Sequence, residues 1–217
     1  MKRYLPILLL AALPSFAAQR LTFDVVGIDC DACAPPVMKA LSSVPGVQNA
    51  RVDPKKKTAT VDVPDNFDRA AIRSALSNAG FEAVFPGEKT SDIQPLPADV
   101  VARLDIAAHK DGKKIDLASL VVPGKITIVD WYGDWCGPCR VLESRLERYM
   151  QANGDIALRR VDIGKWDNEA AKQATHDFRL EALPYIRVYD GKGKFVTAVT
   201  GGMWDEVLAA IAKARTR

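Results

Sequence analysis

The sequence of 217 residues carries 30 basic and 27 acidic side chains, and 48% of its residues are hydrophobic. This near balance of charge, without a basic stripe, argues against nucleic acid as a partner, and the length suits one or two domains with buried cores. The four cysteines form two C-x-x-C pairs of different setting, Cys30/Cys33 and Cys136/Cys139. Two dithiols on one chain predict coupled metal and redox chemistry.

The first 18 residues have the pattern of a secretory signal peptide. Lys2 and Arg3 precede an apolar run that ends near Leu13, and the small residues Ser15 and Ala17 follow it. The run is too short to span a bilayer, and a signal peptidase selects small residues at these positions, so we expect cleavage after Ala17 or one residue later. The sequence therefore predicts a periplasmic protein; an uncleaved N-terminal anchor is the alternative.

A first domain is predicted over residues 19–86, with the β-α-β-β-α-β order of a ferredoxin-like fold. Alternating apolar residues predict its strands, apolar residues at helical spacing predict its helices, and Gly80 is a natural C-terminal helix cap. The predicted strands are 21–26, 48–53, 58–63 and 82–85, and the predicted helices are 35–41 and 67–79. Residues 87–99 have the composition of a mobile linker.

Residues 100–217 predict a second, α/β domain. Residues 126–131 are nearly all apolar and β-branched, as in a buried central strand, and a helix is expected to run from the second cysteine pair to about Ala152. The other predicted elements are a hairpin with strands at 104–108 and 114–117, strands at 156–163, 185–189 and 195–200, and helices at 169–178 and 205–214.

The second cysteine pair lies where the predicted central strand meets a helix. Thiol exchange needs an attacking thiolate, a resolving thiol and an influence that lowers the pKa of the attacker. The helix dipole stabilises a thiolate at the first cysteine, and Pro138 in the first turn costs the helix little. Cys136 is therefore predicted to be the nucleophile, and Cys139 the more buried resolving thiol.

Residues 129–140 read Val-Asp-Trp-Tyr-Gly-Asp-Trp-Cys-Gly-Pro-Cys-Arg and closely resemble the active-site segment of thioredoxins, and the resemblance extends from about residue 126 to the C-terminus. It implies a thioredoxin fold and a disulfide reductase, since Trp-Cys-Gly-Pro-Cys is similar to the reducing members. It also implies that Asp130 accepts the proton of the resolving cysteine, that Pro184 is cis beside the cysteines, and that Trp135 shields the active site.

Other parts of this half carry further implications of the resemblance. Gly201-Gly202 resembles the glycine that lets a substrate backbone approach, whereas Tyr185 departs from the small or aliphatic residue that often follows the cis-proline. The preceding segment, 112–125, resembles the N-terminal extension of periplasmic TlpA-like thioredoxins. A strand-end carboxylate without a role at position 130 and a trans proline at position 184 are the alternatives.

The first cysteine pair has the setting of a soft-metal clamp. Two thiolates separated by two residues, on a loop leading into a helix, can converge on one ion, and soft sulfur ligands at low coordination select Cu(I). Residues 27–33, Gly-Ile-Asp-Cys-Asp-Ala-Cys, resemble the heavy-metal-associated domain of copper chaperones, copper-ATPase amino-terminal domains and mercury-binding periplasmic proteins, over about 21–85. The resemblance implies that Cys30 and Cys33 bind metal.

Departures from that pattern leave the identity of the metal open. Ile28 replaces the usual methionine, and the carboxylates of Asp29 and Asp31 are expected to raise the pKa of the thiols and to favour a harder ion. Cu(I) is the expected metal, with another soft or divalent heavy metal as the alternative, and no organic cofactor is expected. A second redox couple at Cys30/Cys33 is a rival interpretation. His109 and His176 are distant from both pairs in sequence and are expected to be surface or packing residues.

The expected function joins the two halves. The thioredoxin-like dithiol would reduce protein disulfides with electrons from a membrane disulfide-transfer protein, and copper-handling proteins are the other expected partners. The alternative is a periplasmic copper chaperone or metal scavenger whose thioredoxin-like half only keeps Cys30 and Cys33 reduced. The chemistry favours a link, because a metal-binding dithiol outside the cytoplasm oxidises and then cannot hold metal.

Overall fold

The computed structural model describes residues 18–28, 31–89 and 95–217. The predicted signal peptide, except for its last residue, lies outside the described residues, as do Asp29, Cys30 and the centre of the predicted linker. Within the described ranges, no helix is both long enough and apolar enough to cross a membrane.

The N-terminal half forms an antiparallel sheet of four strands in the order β2-β3-β1-β4, with two helices, and confirms the predicted ferredoxin-like fold. Strict alternation along β3 turns Ala59, Val61 and Val63 into the core, where α1 and α2 cover the sheet. The elements are β1 (Ala18–Val26), α1 (Ala34–Ser42), β2 (Gln48–Asp53), β3 (Thr58–Pro64), α2 (Arg69–Asn78) and β4 (Glu82–Val84), with a 3₁₀ turn at Asp31–Cys33.

The C-terminal half forms a five-stranded mixed sheet in the order β5-β7-β6-β8-β9, which confirms the predicted thioredoxin fold. The first three of these strands are parallel to one another, β8 runs antiparallel to β6, and β9 runs antiparallel to β8, with which it forms a hairpin. The elements are α3 (Ala98–Val101), β5 (Ile106–His109), α4 (Leu117–Leu120), β6 (Ile126–Tyr132), α5 (Gly137–Ala152), β7 (Ile156–Asp162), α6 (Glu169–Phe178), β8 (Tyr185–Tyr189), β9 (Phe195–Thr200) and α7 (Trp204–Arg215).

The hairpin predicted at the start of this half is wrong. β5 pairs in parallel with β7, and residues 114–117 form no strand. Asp116 instead begins the short helix α4, because its carboxylate accepts a hydrogen bond from the amide of Ala118 (3.0 Å). The hairpin on which the resemblance to a TlpA-like extension partly rested is therefore not formed. The linker prediction also ran too far, since α3 begins at Ala98.

The central strand β6 positions the redox site, and all seven of its residues are buried. Ile126 and Ile128 belong to the core that α5 and α7 share, whereas Val129 and Trp131 belong to the core beside α6. Because side chains alternate between the two faces of a strand, Asp130 lies on the face that packs against α5. The helix that begins at the second cysteine pair is that same α5.

Candidate active site and metal loop

Cys136 and Cys139 form a disulfide at the N-terminus of α5. Cys136 is the N-cap residue, and its sulfur accepts a hydrogen bond from the backbone amide of Cys139 (3.2 Å). Cys136 is 5% exposed and Cys139 is 1% exposed. The sulfur at the helix end is therefore the more accessible one and lies where the helix dipole favours a thiolate. This geometry suits the predicted order, in which Cys136 attacks and Cys139 resolves.

The Leu183–Pro184 peptide is cis, as predicted. Leu183 packs against the buried cluster of Tyr132 and the two active-site cysteines, so the proline loop lies beside the disulfide. The amide of Gly201 donates to the carbonyl oxygen of Pro184 (2.7 Å). A Cβ built on Gly202 would lie 3.6 Å from the Pro184 ring, at Cγ. We call the surface formed by Pro138, Pro184, Gly201 and Gly202 the substrate groove.

Two aromatic side chains border this site. Trp135 is 44% exposed, lies against the backbone of Gly133 and donates its Nε1 hydrogen to the carbonyl oxygen of Gly164 (2.7 Å). Its predicted shielding role stays a prediction. Tyr185 is buried, and its ring packs 5.6 Å from that of Trp131. The tyrosine after the cis-proline therefore points into the core beside α6 and does not line the substrate groove.

Asp130 is fully buried and shares Arg160 with a second carboxylate. Its Oδ2 accepts a hydrogen bond from Arg160 Nε (3.2 Å), while Arg160 Nη1 donates to Glu143 of α5. Its Oδ1 has no hydrogen-bond partner among the described residues. Burial raises the pKa of Asp130 to about 6, and the attraction of Arg160 only partly offsets that rise. A carboxyl group with this pKa can accept a proton near neutral pH.

Sequence reasoning missed Arg160 and Glu143. Arg160 pairs with Asp130 across β6 and β7, so it follows from the register, which a sequence alone does not supply. The one signal in the sequence was an arginine inside the predicted strand at 156–163, since a charge that becomes buried needs a partner. Glu143 carried no such signal, because a glutamate on an amphipathic helix is ordinarily solvated.

Tyr132 is the third residue that sequence reasoning missed. Its ring is 2% exposed, contacts the cysteine pair, and has the guanidinium of Arg160 3.8 Å from its centre. Its hydroxyl has no hydrogen-bond partner among the described residues, and burial raises its pKa to about 12. A buried hydroxyl without a partner costs about 1–3 kcal/mol.

We therefore expect Tyr132→Phe to raise the free energy of unfolding by about 1 kcal/mol, because it removes an unpaired hydroxyl and keeps the ring under Arg160. Tyr189→Phe is the matched control: Tyr189 is equally a buried tyrosine of this sheet, but its hydroxyl accepts a hydrogen bond from Arg187 Nε (3.1 Å). That variant should lose stability. Urea unfolding of the oxidised proteins measures both, and a loss of stability in Tyr132→Phe would mean that the hydroxyl is paired.

The metal loop is described only in part, because Cys30 lies outside the described residues. Cys33 is buried at the start of α1, and Ile28, at the usual methionine position, is fully buried. In the described ranges, no three His, Cys, Asp or Glu side chains cluster as a metal site. Two cysteine thiolates separated by two residues suit a soft ion of low coordination number, so the residue types of this loop fit such an ion.

The two histidines lie on elements of the thioredoxin-like half. His109 is half-buried at the end of β5, and His176 is exposed on α6, where it contacts the carboxylate of Asp177 (2.8 Å). These positions agree with the prediction of packing and surface roles.

The metal loop contacts the helix that carries the redox pair. A Cβ built on Gly27, three residues before Cys30, would lie 3.3 Å from the side chain of Val141, two residues after Cys139. It would also lie 3.1 Å from Phe81 of its own half. The start of the metal loop thus packs on the first turns of α5.

Comparisons with known proteins identify the same two units. Residues 22–82 match the model of the heavy-metal-associated domain, and residues 114–214 match that of thioredoxin. Over 92 residues, 42% of this chain, it is 29% identical to the chloroplastic F-type thioredoxin of Mesembryanthemum crystallinum, and the match spans 46% of that protein. Over 95 residues, 44% of this chain, it is 28% identical to thioredoxin-2 of Saccharomyces cerevisiae, and covers 86% of it.

A solved structure resembles the N-terminal half. The crystal structure of oxidised MerP from Ralstonia metallidurans CH34 is 31% identical, and the match covers 32% of this chain and 99% of that chain, with a TM-score of 0.31. The two family matches, in the order seen in the fold, support a thiol-disulfide oxidoreductase linked to metal binding. Along the chain, a region that matches the heavy-metal-associated domain, residues 22–82, precedes a region that matches thioredoxin, residues 114–214.

Proposed function

We propose that the protein is an exported thiol-disulfide reductase whose Cys136/Cys139 dithiol keeps the metal-binding pair Cys30/Cys33 reduced and also reduces other protein disulfides. The contact between Gly27 and Val141 carries this proposal, because it places the start of the metal loop on the helix that begins at the redox pair. A membrane disulfide-transfer protein is the proposed electron donor, and Cu(I) is the proposed metal.

The chemistry is a two-electron thiol exchange. The Cys136 thiolate attacks one sulfur of the target disulfide, which forms a mixed disulfide and releases the other sulfur as a thiolate that takes up a proton. Asp130 accepts the proton of Cys139, and the resulting thiolate attacks the Cys136 sulfur and releases the second target thiolate. The target has gained two electrons, and the Cys136–Cys139 disulfide must be reduced by an external dithiol before the next turn.

Placing both pairs on one chain has a kinetic consequence. A tethered reductant acts at an effective concentration of about a millimolar, so an oxidised metal pair is restored without an encounter between two proteins. Metal binding requires thiolates, and every return to the dithiol state restores the capacity for metal. The metal is cargo in this proposal, and the reductive step needs only the four cysteines and Asp130.

The metal site is tested by anaerobic titration of the reduced protein with Cu(I) against a competing chelator. We expect about one Cu(I) per chain, the stoichiometry of a two-thiolate site. Binding should be lost in Cys30→Ser/Cys33→Ser and retained in the matched double variant Cys136→Ser/Cys139→Ser. The reverse pattern would assign the metal to the thioredoxin half.

Reduction of the metal pair is tested in the full chain with one equivalent of dithiothreitol. Wild type oxidised at both pairs should recover free thiols at Cys30 and Cys33 faster than Cys136→Ser/Cys139→Ser, as counted by alkylation and mass spectrometry. Equal rates would overturn the internal transfer. Recovery of that pair without reduction of insulin would favour the chaperone alternative. Export is tested by the mass of the mature protein, which should begin at Ala18 or Gln19.

A further inference from the structure

The substrate groove of the thioredoxin half is in contact with a loop of the metal-binding half. A Cβ built on Gly80, in the turn between α2 and β4, would lie 3.2 Å from Cα and 3.3 Å from the amide nitrogen of Gly202. It would also lie 3.5 Å from the ring of Pro138. Gly80 has φ +83°, so its backbone conformation and its surroundings both favour glycine.

The same close approach is found when the Cβ is built on Gly202 instead of Gly80. A Cβ built on Gly202 would lie 3.2 Å from the Cα of Gly80. Two backbones that meet at glycines, beside a cis-proline, occupy the place where the resemblance to thioredoxins puts a substrate backbone. The turn at 79–81 therefore fills part of the substrate groove.

A second contact between the halves involves the C-terminal end of α2, which precedes the Gly80 turn. Arg145 of α5 is buried, and its Nη1 donates to the carbonyl oxygen of Ser77 in the last turn of α2 (3.3 Å). A cation is favourable at the C-terminus of a helix, where backbone carbonyls lack intrahelical partners. Arg145 thus ties α2 to the redox helix close to the Gly80 turn.

Next to these contacts the two halves leave an open cleft of about 760 Å³, which both apolar and charged side chains line. Lys56 and Lys57 line it from the metal half, and Glu143 and Glu147 line it from α5. The contacts at Gly27, Gly80 and Arg145, with an open cleft beside them, are typical of an interface between domains of one chain, and such domain contacts open readily.

We propose that the turn at 79–81 is a built-in ligand of the substrate groove: the closed chain serves its own metal loop, and other protein disulfides enter only when the halves separate. The proposal rests on the proposed reductase function for its kinetic effect. The turn and the metal loop belong to the same half, so separation of the halves should free the groove and withdraw the metal loop from α5 at the same time.

The test compares Gly80→Asn with Gly87→Asn in the full-length protein. Both glycines have positive φ, +83° and +87°, which asparagine tolerates better than other side chains, but a Cβ on Gly87 meets nothing within 4 Å. Only Gly80→Asn should push the halves apart. Arg145→Gln is a second opening variant, which leaves the turn and the groove unaltered.

Opening is expected to act in opposite directions on two rates. The kcat/KM for insulin reduction should rise about three- to tenfold in Gly80→Asn, which corresponds to an open fraction of roughly 10–30% in the wild type. Reduction of the Cys30–Cys33 disulfide within the chain should slow, because the closed state that places the metal loop on α5 is depleted. Gly87→Asn should match the wild type in both, and simple loss of stability would lower both rates together.

Small-angle X-ray scattering separates failure of this inference from failure of the proposed function. The radius of gyration should increase in Gly80→Asn and Arg145→Gln and stay unchanged in Gly87→Asn. If the wild type fails to reduce insulin and its own metal pair, the reductase proposal fails, and scattering alone decides the docking. If Gly80→Asn matches Gly87→Asn in radius and in both rates, the built-in ligand is excluded.

Discussion

Cys136→Ser is expected to lower insulin reduction to the uncatalysed rate, whereas Cys139→Ser is expected to retain attack and to trap the target as a mixed disulfide. Cys136 lies at the N-cap of α5 and is the more exposed of the two sulfurs. The helix N-terminus stabilises the Cys136 thiolate, so the first step depends on Cys136 alone. Cys139 is needed only to release the product.

The two variants are distinguished by stopped-flow reduction of insulin and by mass spectrometry after acid quenching. Cys139→Ser should show a covalent adduct with the target at Cys136, and Cys136→Ser should show none. Cys30→Ser/Cys33→Ser is the control for a cysteine pair that lies outside this step, and it should reduce insulin at least as fast as the wild type. Full turnover by Cys136→Ser would reverse the assigned roles.

Much of the fold was predictable because its elements carry strong local signals. The seven residues of β6 are apolar enough to mark a central strand, and alternation in β3 fixes which side chains enter the core. The hairpin predicted before β6 failed because four-residue stretches such as 114–117 fit several conformations. The pairing of β5 with β7 is a contact between residues distant in the chain, which periodicity does not encode.

Within the candidate site, too, some residues could be predicted from the sequence and others could not. The cysteine pair, Asp130 and Pro184 follow from a contiguous motif and one distant proline, and the structure brings them to one end of β6. Arg160 enters the site through strand register, and Gly80 enters through contact between the two halves. The partner of neither residue can be read from local sequence, because each contact depends on which surfaces meet after folding.

Asp130→Asn is expected to slow the second step of thiol exchange more than the first. Asp130 lies on the sheet face that α5 covers, and its pKa of about 6 lets it take up the Cys139 proton near neutral pH. A positioned base commonly contributes 10²–10⁴-fold, and we expect a loss of about 10- to 100-fold in the rate of resolution at pH 7. Single-turnover kinetics measure attack and resolution separately, and equal rates in wild type and variant would remove Asp130 from the mechanism.

The same substitution should stabilise the oxidised protein at pH 7. Burial raises the pKa of Asp130 from 3.8 to about 6, so between these values the folded state holds a proton that the unfolded state has lost. The contribution of Asp130 to the free energy of unfolding therefore falls as pH rises from about 4 to 6, and at pH 7 the full penalty of the buried charge applies. Asn does not ionise, so Asp130→Asn should gain about 1–3 kcal/mol at pH 7 and lose this part of the pH dependence.

Asp190→Asn is the control for the gain in stability of Asp130→Asn, because it should change the free energy of unfolding at pH 7 in the opposite direction. Backbone amides of Lys194 and Lys192 donate to its carboxylate and lower its pKa, so its charge favours the folded state above the ordinary pKa of aspartate. Its replacement should destabilise the protein at pH 7. Urea unfolding at pH 4, 5, 6 and 7 measures both variants against the wild type. Arg160 keeps Glu143 as a partner when residue 130 is neutral, so the buried guanidinium does not cancel the gain in stability expected for Asp130→Asn. A loss of stability in Asp130→Asn at pH 7 would mean that the Asp130 carboxylate is ionised and well paired in the folded state.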